Sequence, residues 1–230
     1  MQTVVKQEYI SGVFLRELKN RFLCEISIDG VPTVCYVPSS CHLGNFLQLE
    51  SHPVLLVKNQ SGNTRTQYAL FALPYKRSYI LLSPATANKA IADSLRSRRF
   101  SFLGKRANTL SEYTVEGYKA DLFIKDSDTV VEIKAVISTD STAVFPTVYS
   151  ERTLKQLRML SARLDAGRRA CLLIVSLNPY VKNVLINTQS DFSSLLFECI
   201  DKGLIVRAFT CRFEQEKGIY IDSCIPVVFS

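Results

Sequence analysis

Three charged side chains interrupt a stretch that otherwise reads as buried strand, and that conflict constrains this chain more than any other feature. Ala120 to Ile124 and Thr129 to Val136 are apolar on both faces, as strands covered on both sides are, except at Asp121, Glu132 and Lys134. The polar turn Lys125-Asp-Ser-Asp128, read as a two-residue hairpin connection, sets Ile124 opposite Thr129 and so Asp121 opposite Glu132. Opposed side chains lie about 5 Å apart at Cβ, and like charges there are destabilising unless something compensates. A divalent cation does so. Lys134 follows Glu132 by two residues, so strand alternation brings it to the same face.

Phosphodiester hydrolysis gives such a cluster a purpose, because it needs a cation to neutralise phosphoryl oxygens and to lower the pKa of an attacking water. Asp121 and Glu132 are the expected ligands, with the backbone carbonyl of Ile133 as a third and water completing the shell of Mg²⁺ or Mn²⁺. Lys134 would orient the water or stabilise the developing charge. Glu112 is favoured as a fourth member over Glu116, because the strand entering Gly117 is poorly defined by pattern. The same charges are also explained by a salt bridge between Lys134 and the two acids, and E-x-K alone does not separate the two.

Upstream, five short runs read as strands: Phe22 to Ile28, Thr33 to Val37, Val54 to Val57, Tyr68 to Leu73 and Tyr79 to Leu82. Turn signals such as Asp29-Gly30 and Pro38-Ser-Ser40 separate them. Short strands without a long helix imply a small barrel of OB type. A helix starting near Pro84 and running through Asn88, Ile91 and Leu95 ends the pattern, which places a domain boundary between residues 82 and 83. From there strands and helices alternate as in an α/β layer. Ser150 is placed to cap a helix with Leu154, Leu157, Leu160 and Leu164 on one stripe and Gly167 at its end. Ala170 to Ser176 reads as a buried strand. Asp191 is expected to cap a helix ending at Gly203, and Leu204 to Phe209 reads as a strand. The fold class expected is α/β: an OB-like barrel over 1–82, assigned to nucleic-acid binding, then a domain over 83–230 with a mixed sheet flanked by helices.

Lysine and arginine number 28 against 21 acids, a net charge of +7, which favours polyanionic partners. The densest stretch interleaves Arg96, Arg98, Arg99, Lys105 and Arg106 with Phe100 and Phe102. It fits a nucleic-acid surface, and equally a solvated helix end followed by a core strand. No apolar run approaches the roughly 20 residues of a membrane span, and the N-terminus has no secretory pattern, so a cytoplasmic location is expected. Seven cysteines without a C-x-x-C pair read as reduced core residues. Cys35, Cys41 and His42 lack a fourth ligand at zinc-finger spacing.

Several segments, taken in order, resemble the sugar fermentation stimulation protein A (SfsA) family. They are Phe14-Leu-Arg-Glu-Leu-Lys-Asn-Arg-Phe-Leu-Cys-Glu25, Ile28-Asp-Gly30, Asn88, the series Glu112, Asp121, Glu132 and Lys134, then Phe145-Pro146 and Ser150-Glu-Arg152. The resemblance covers nearly the whole chain. It implies an OB-like domain joined to a PD-(D/E)xK nuclease-like domain, with Asp121, Glu132, Lys134 and Glu112 catalytic. The expected partner is nucleic acid, DNA more than RNA, held by Arg21, Arg96, Arg98, Arg99, Arg152, Lys155 and Gln156. The alternative is a non-catalytic DNA-binding regulator of sugar-utilisation genes. Keeping Asp121, Glu132 and Lys134 favours catalysis, whereas loss of the family's aspartate and helix histidine favours binding alone; the departures are four. Thr147 replaces an aspartate, Gln156 a helix histidine, Lys119 an arginine, and Val37-Pro-Ser-Ser-Cys41 a C-P-N-T-G segment.

Overall fold

The structure, a computed structural model, describes residues 8–38, 43–45, 47, 49–59 and 65–230. The chain forms two compact units, Met1–Ala85 and Thr86–Ser230.

Six strands build the first unit: β1 (Tyr9–Glu17), β2 (Leu23–Ile28), β3 (Val31–Tyr36), β4 (Pro53–Lys58), β5 (Tyr68–Tyr75) and β6 (Ser78–Leu81). They lie in the order β3-β2-β1-β4-β5-β6. A parallel pairing of Tyr36 with Ala69 joins β3 to β5 and turns five of the strands into a barrel-like ring, the OB-type arrangement. Asp29 and Gly30, at φ 51° and 82°, form the tight β2–β3 turn that an Asp-Gly pair favours. β1 is absent from the five strands read from sequence. Gly12 and a register shift between Phe14 and Arg16 break the period-2 pattern that reveals a strand.

Gly12 is in β1 because the ring closes tightly there. A Cβ at that position would stand 2.5 Å from Ile26 Cγ2 and 3.1 Å from the Ser27 carbonyl. Gly12→Ala is therefore expected to destabilise the barrel by about 1–3 kcal/mol, the usual range for overpacking. Denaturant unfolding checks this; an unchanged midpoint would mean that β1 and β2 are not packed this closely. At the other end of β1, the Glu17 carboxylate accepts the backbone N–H groups of Leu43 and Gly44 at 2.7 and 3.2 Å. Cys41 and His42 lie outside the described residues, while Cys24 and Cys35 are free and buried.

The second unit begins with α1 (Ala85–Ser94) and a 3-10 segment, Arg98–Leu103. Next come β7 (Thr109–Val115), β8 (Tyr118–Ile124), β9 (Thr129–Val136), β10 (Thr142–Val144), α2 (Glu151–Asp165) and β11 (Arg169–Ser176). It ends with β12 (Asn183–Ile186), α3 (Asp191–Asp201), β13 (Ile205–Glu214), β14 (Gly218–Ile225) and β15 (Val227–Phe229). The main sheet has the order β14-β13-β11-β9-β8-β7. β9, β11 and β13 are parallel, and the outer pairings are antiparallel. A small parallel sheet, β10-β12-β15, stands beside it. The molecule is thus mixed α/β.

The leucine stripe of α2 and Phe192, Leu196 and Cys199 of α3 pack on Val130, Val136, Leu172 and Ile174 of the sheet. Ser150 caps α2, its hydroxyl accepting the Thr153 N–H at 3.2 Å. α3 starts differently from the sequence reading. Ser190, one residue before Asp191, is the cap and forms a capping box with Ser193, so Asp191 supplies first-turn negative charge instead. The β8–β9 connection also differs. It is not a two-residue turn but a 3-10 turn, Lys125–Ser127, closed by Asp128 in the left-handed region. The expected pairing of Ile124 with Thr129 is present, since four connecting residues preserve the count.

The basic-aromatic stretch divides between its two readings. Phe100 is fully buried and packs on Phe209, ring centroids 5.0 Å apart. Arg99 donates to the Ile221 carbonyl at 2.5 Å, and Arg106 donates to the Leu95, Gly104 and Ser97 carbonyls. Those guanidiniums tie backbone together, whereas Arg96, Arg98 and Lys105 are exposed. Cys224 is exposed, unlike the other described cysteines. Among the described residues no helix is long and apolar enough to cross a membrane.

Candidate active site

β8 and β9 pair as Ile124↔Thr129, Phe123↔Val130 and Leu122↔Val131, and the ladder stops there. At the next step Asp121 Oδ2 accepts the Ile133 N–H at 2.7 Å. A side-chain carboxylate thus takes a strand N–H where a ladder carbonyl would serve, and the two strands part. Asp121 Oδ1 accepts from the Asn88 side chain of α1 at 3.0 Å.

Glu132 is the second acid, and it is only 2% exposed. Its Oε1 accepts from Lys134 Nζ at 2.8 Å and from Gln156 Nε2 of α2 at 2.5 Å. Gln156 Oε1 in turn accepts from Lys134 Nζ, so glutamate, lysine and glutamine form a closed triangle. Oε2 accepts from the Tyr118 hydroxyl. Burial raises the pKa of Glu132, Asp121 adds to the rise, and Lys134 opposes it. Burial and the Glu132 and Asp121 charges also push the Tyr118 phenol up, so it remains a donor.

Asp121, Glu132 and Lys134 are therefore together, with Ile133 between the last two and its N–H on Asp121. Glu112 stands on β7 across from Asp121, between Ser111 and Tyr113, which pair with Leu122 and Ala120. At φ 48°, its carboxylate is exposed and paired with Lys119 at 2.8 Å, a bond that lowers its pKa. Glu116 is engaged by Arg163 and Arg168. Arg152 and Lys155 are exposed on α2, and Arg158 continues that basic face. Arg152 is close enough to lower the Tyr118 pKa. Arg21 lies over the Phe22 ring, 5.0 Å from its centroid. Gln156 faces inward to the triangle, and Thr147, exposed, donates to the Val144 carbonyl.

Sequence reasoning assigned no role to Asn88 and missed Tyr118. Strict alternation sends Tyr118, three residues before Asp121, to the opposite face. Its ring packs against the core beneath α2 because the strands have already parted.

Among the described residues no three His, Cys, Asp or Glu side chains gather to hold a metal ion. Two carboxylates can still serve a hard cation that keeps several waters. A carboxylate offers about four acceptor positions. Asp121 uses two of them and Glu132 three, leaving oxygen lone pairs on both. The donor set fits a hard divalent cation.

The family model described as "Sugar fermentation stimulation protein RE domain" matches residues 85–217, which contain every residue of this site. The chain belongs to the SfsA family. This SfsA family member is 28% identical over 231 residues to the sugar fermentation stimulation protein homolog of Caldanaerobacter subterraneus subsp. tengcongensis, covering 98% of this chain and 99% of that one. It is 22% identical over 220 residues to the homolog of Methanobrevibacter smithii, covering 89% and 91%. Its structure is similar to that of Pyrococcus furiosus SfsA in complex with Ca²⁺, with a TM-score of 0.81, 18% identity and 96% of each chain covered. At that identity the likeness concerns the fold.

Proposed function

We propose that this SfsA family member binds nucleic acid, DNA in preference to RNA, and hydrolyses its phosphodiester bonds with a divalent cation. The observation that supports the reading is the cluster where β8 and β9 part: Lys134 Nζ is 2.8 Å from Glu132 Oε1, and Asp121 Oδ2 accepts the N–H of Ile133, the residue between those two, at 2.7 Å. When bound, Mg²⁺ or Mn²⁺ would supply Lewis acidity and a more acidic water. Asp121 and Glu132 would hold it. Asn88 and the Ile133 N–H fix the Asp121 carboxylate, and the Gln156 triangle fixes Lys134, whose ammonium is placed to stabilise charge developing on a phosphoryl oxygen. The calcium complex of the Pyrococcus relative supports a divalent ion in this family. Exposed Arg152 and Lys155, beside the site on α2, suit the flanking phosphates.

One observation favours the second reading, a binding-only regulator. Every carboxylate oxygen of Asp121 and Glu132 already accepts a hydrogen bond within the protein, so the cluster is satisfied without a cation.

Two measurements test the proposal. Cleavage of labelled nucleic acid should require Mg²⁺ or Mn²⁺ and vanish in EDTA. Binding, followed by fluorescence anisotropy, should weaken steeply as salt rises, since the net charge of +7 implies several counterions released per complex. With about three phosphate contacts, affinity should fall roughly 40-fold between 50 and 200 mM salt. A flat response would indicate a partner other than a phosphate backbone.

A further inference from the structure

We infer that Tyr118 is a positioning residue for the cation site, orienting the Glu132 carboxylate so that one acceptor position remains for an ion shared with Asp121. This rests on the proposed reading of Asp121 and Glu132 as cation ligands. It concerns a residue that belongs to neither the acidic pair nor the lysine.

Glu132 is held from three elements at once. Lys134 of β9 and Gln156 of α2 both donate to Oε1, which fills the two lone pairs of that oxygen. The Tyr118 hydroxyl of β8 donates to Oε2 and takes one of its two. The vacancy left on the carboxylate is the second lone pair of Oε2, so Glu132 can meet an ion through one oxygen only. Without the phenol, rotation about the terminal carboxylate bond is resisted only on the Oε1 side. The vacant position then loses its fixed direction.

The tyrosine is itself well anchored. Its ring packs against the core shared by Ala120, Val136, Leu154 and Leu157. A donor of fixed position suits the orienting of a ligand. Partners of metal ligands typically contribute 10–100-fold to metal affinity.

Tyr118→Phe keeps the ring and removes the hydroxyl. The test is calorimetric titration of Mn²⁺ into the full chain, with Tyr220→Phe as the matched control, because Tyr220 makes the same kind of bond to Glu214 on β13–β14. The expected result is a dissociation constant at least tenfold weaker for Tyr118→Phe, with Tyr220→Phe within about twofold of wild type. Wild-type affinity in Tyr118→Phe, or tighter binding, would overturn the positioning role while the cation site stands. Equal weakening in both variants would overturn it as well, since any lost phenol would then do. A wild type that binds no Mn²⁺ would overturn the cation reading and this inference with it.

Discussion

Glu132→Gln is expected to lower cation-dependent cleavage by many hundredfold while leaving nucleic-acid binding within a few-fold of wild type. The variant keeps the side chain's shape and its place beside Lys134, Gln156 and Tyr118, and removes the charge that a cation needs. Loss of Lewis acidity and of the activated water removes several kcal/mol of transition-state stabilisation, at about 1.36 kcal/mol per tenfold in rate. Steady-state cleavage and anisotropy measured together check both halves. Stability should stay level or rise, because burial holds the Glu132 pKa above its ordinary value. A carboxyl whose pKa is raised by folding favours the folded state at acid pH, and that contribution is lost as pH climbs through the raised value. The metal-free wild type should therefore lose ground to Glu132→Gln between acid and neutral pH, as thermal melts would show. A variant that unfolds would instead mark the cluster as a structural salt bridge, with Lys134 left as an uncompensated charge.

Arg163→Met is expected to destabilise the second unit by about 2–4 kcal/mol. Arg163 is a nearly buried arginine of α2, its side chain 5% exposed. Its guanidinium donates to Glu116, to the side chain and backbone carbonyl of Asp128, and to the Arg169 carbonyl. Glu116 and Asp128 both occupy the left-handed region, at φ 52° and 45°, in the two turns that flank β8. One side chain thus fixes both ends of the strand that carries Tyr118 and Asp121. Hydrogen bonds to charged groups contribute about 1.5–3 kcal/mol each. The carboxylates are half exposed and keep Arg168 nearby, so the total is well below the sum. At roughly 2–4 °C per kcal/mol for a chain of this size, the melting temperature should fall by roughly 5–15 °C. Arg163→Lys should recover only part of the loss, because an ammonium cannot span both turns as a planar fork does. An unchanged melting temperature for Arg163→Met would show that the turns hold themselves.

The reach of the sequence can be judged on β8 and β9. Register follows from counting across the connection, so the pairing of Ile124 with Thr129 was legible even with the turn type misread. The direct opposition of Asp121 and Glu132 expected from that count is absent, because the ladder ends at Leu122 and Asp121 takes the Ile133 N–H instead. Alternation presumes a continuous ladder, however. Where the ladder ends at Leu122, Tyr118 returns toward Glu132 and Glu112 turns out to Lys119, and period 2 reveals neither. Long-range partners were equally hidden. Asn88 stands 33 residues from Asp121, and Arg163 reads as one more basic residue on a helix until its burial is known. In the barrel, β1 escaped notice because a glycine chosen for close packing looks, in sequence, like a strand breaker.

Incubation of the purified protein with labelled single- and double-stranded DNA and RNA, in Mg²⁺, Mn²⁺ or EDTA, separates a nuclease from a binding-only regulator. Cleavage of at least one substrate is expected with Mg²⁺ or Mn²⁺, none in EDTA, and a loss of many hundredfold in Glu132→Gln. Intact substrates under every metal, with salt-sensitive binding preserved, would contradict the nuclease reading and leave the regulator reading in its place.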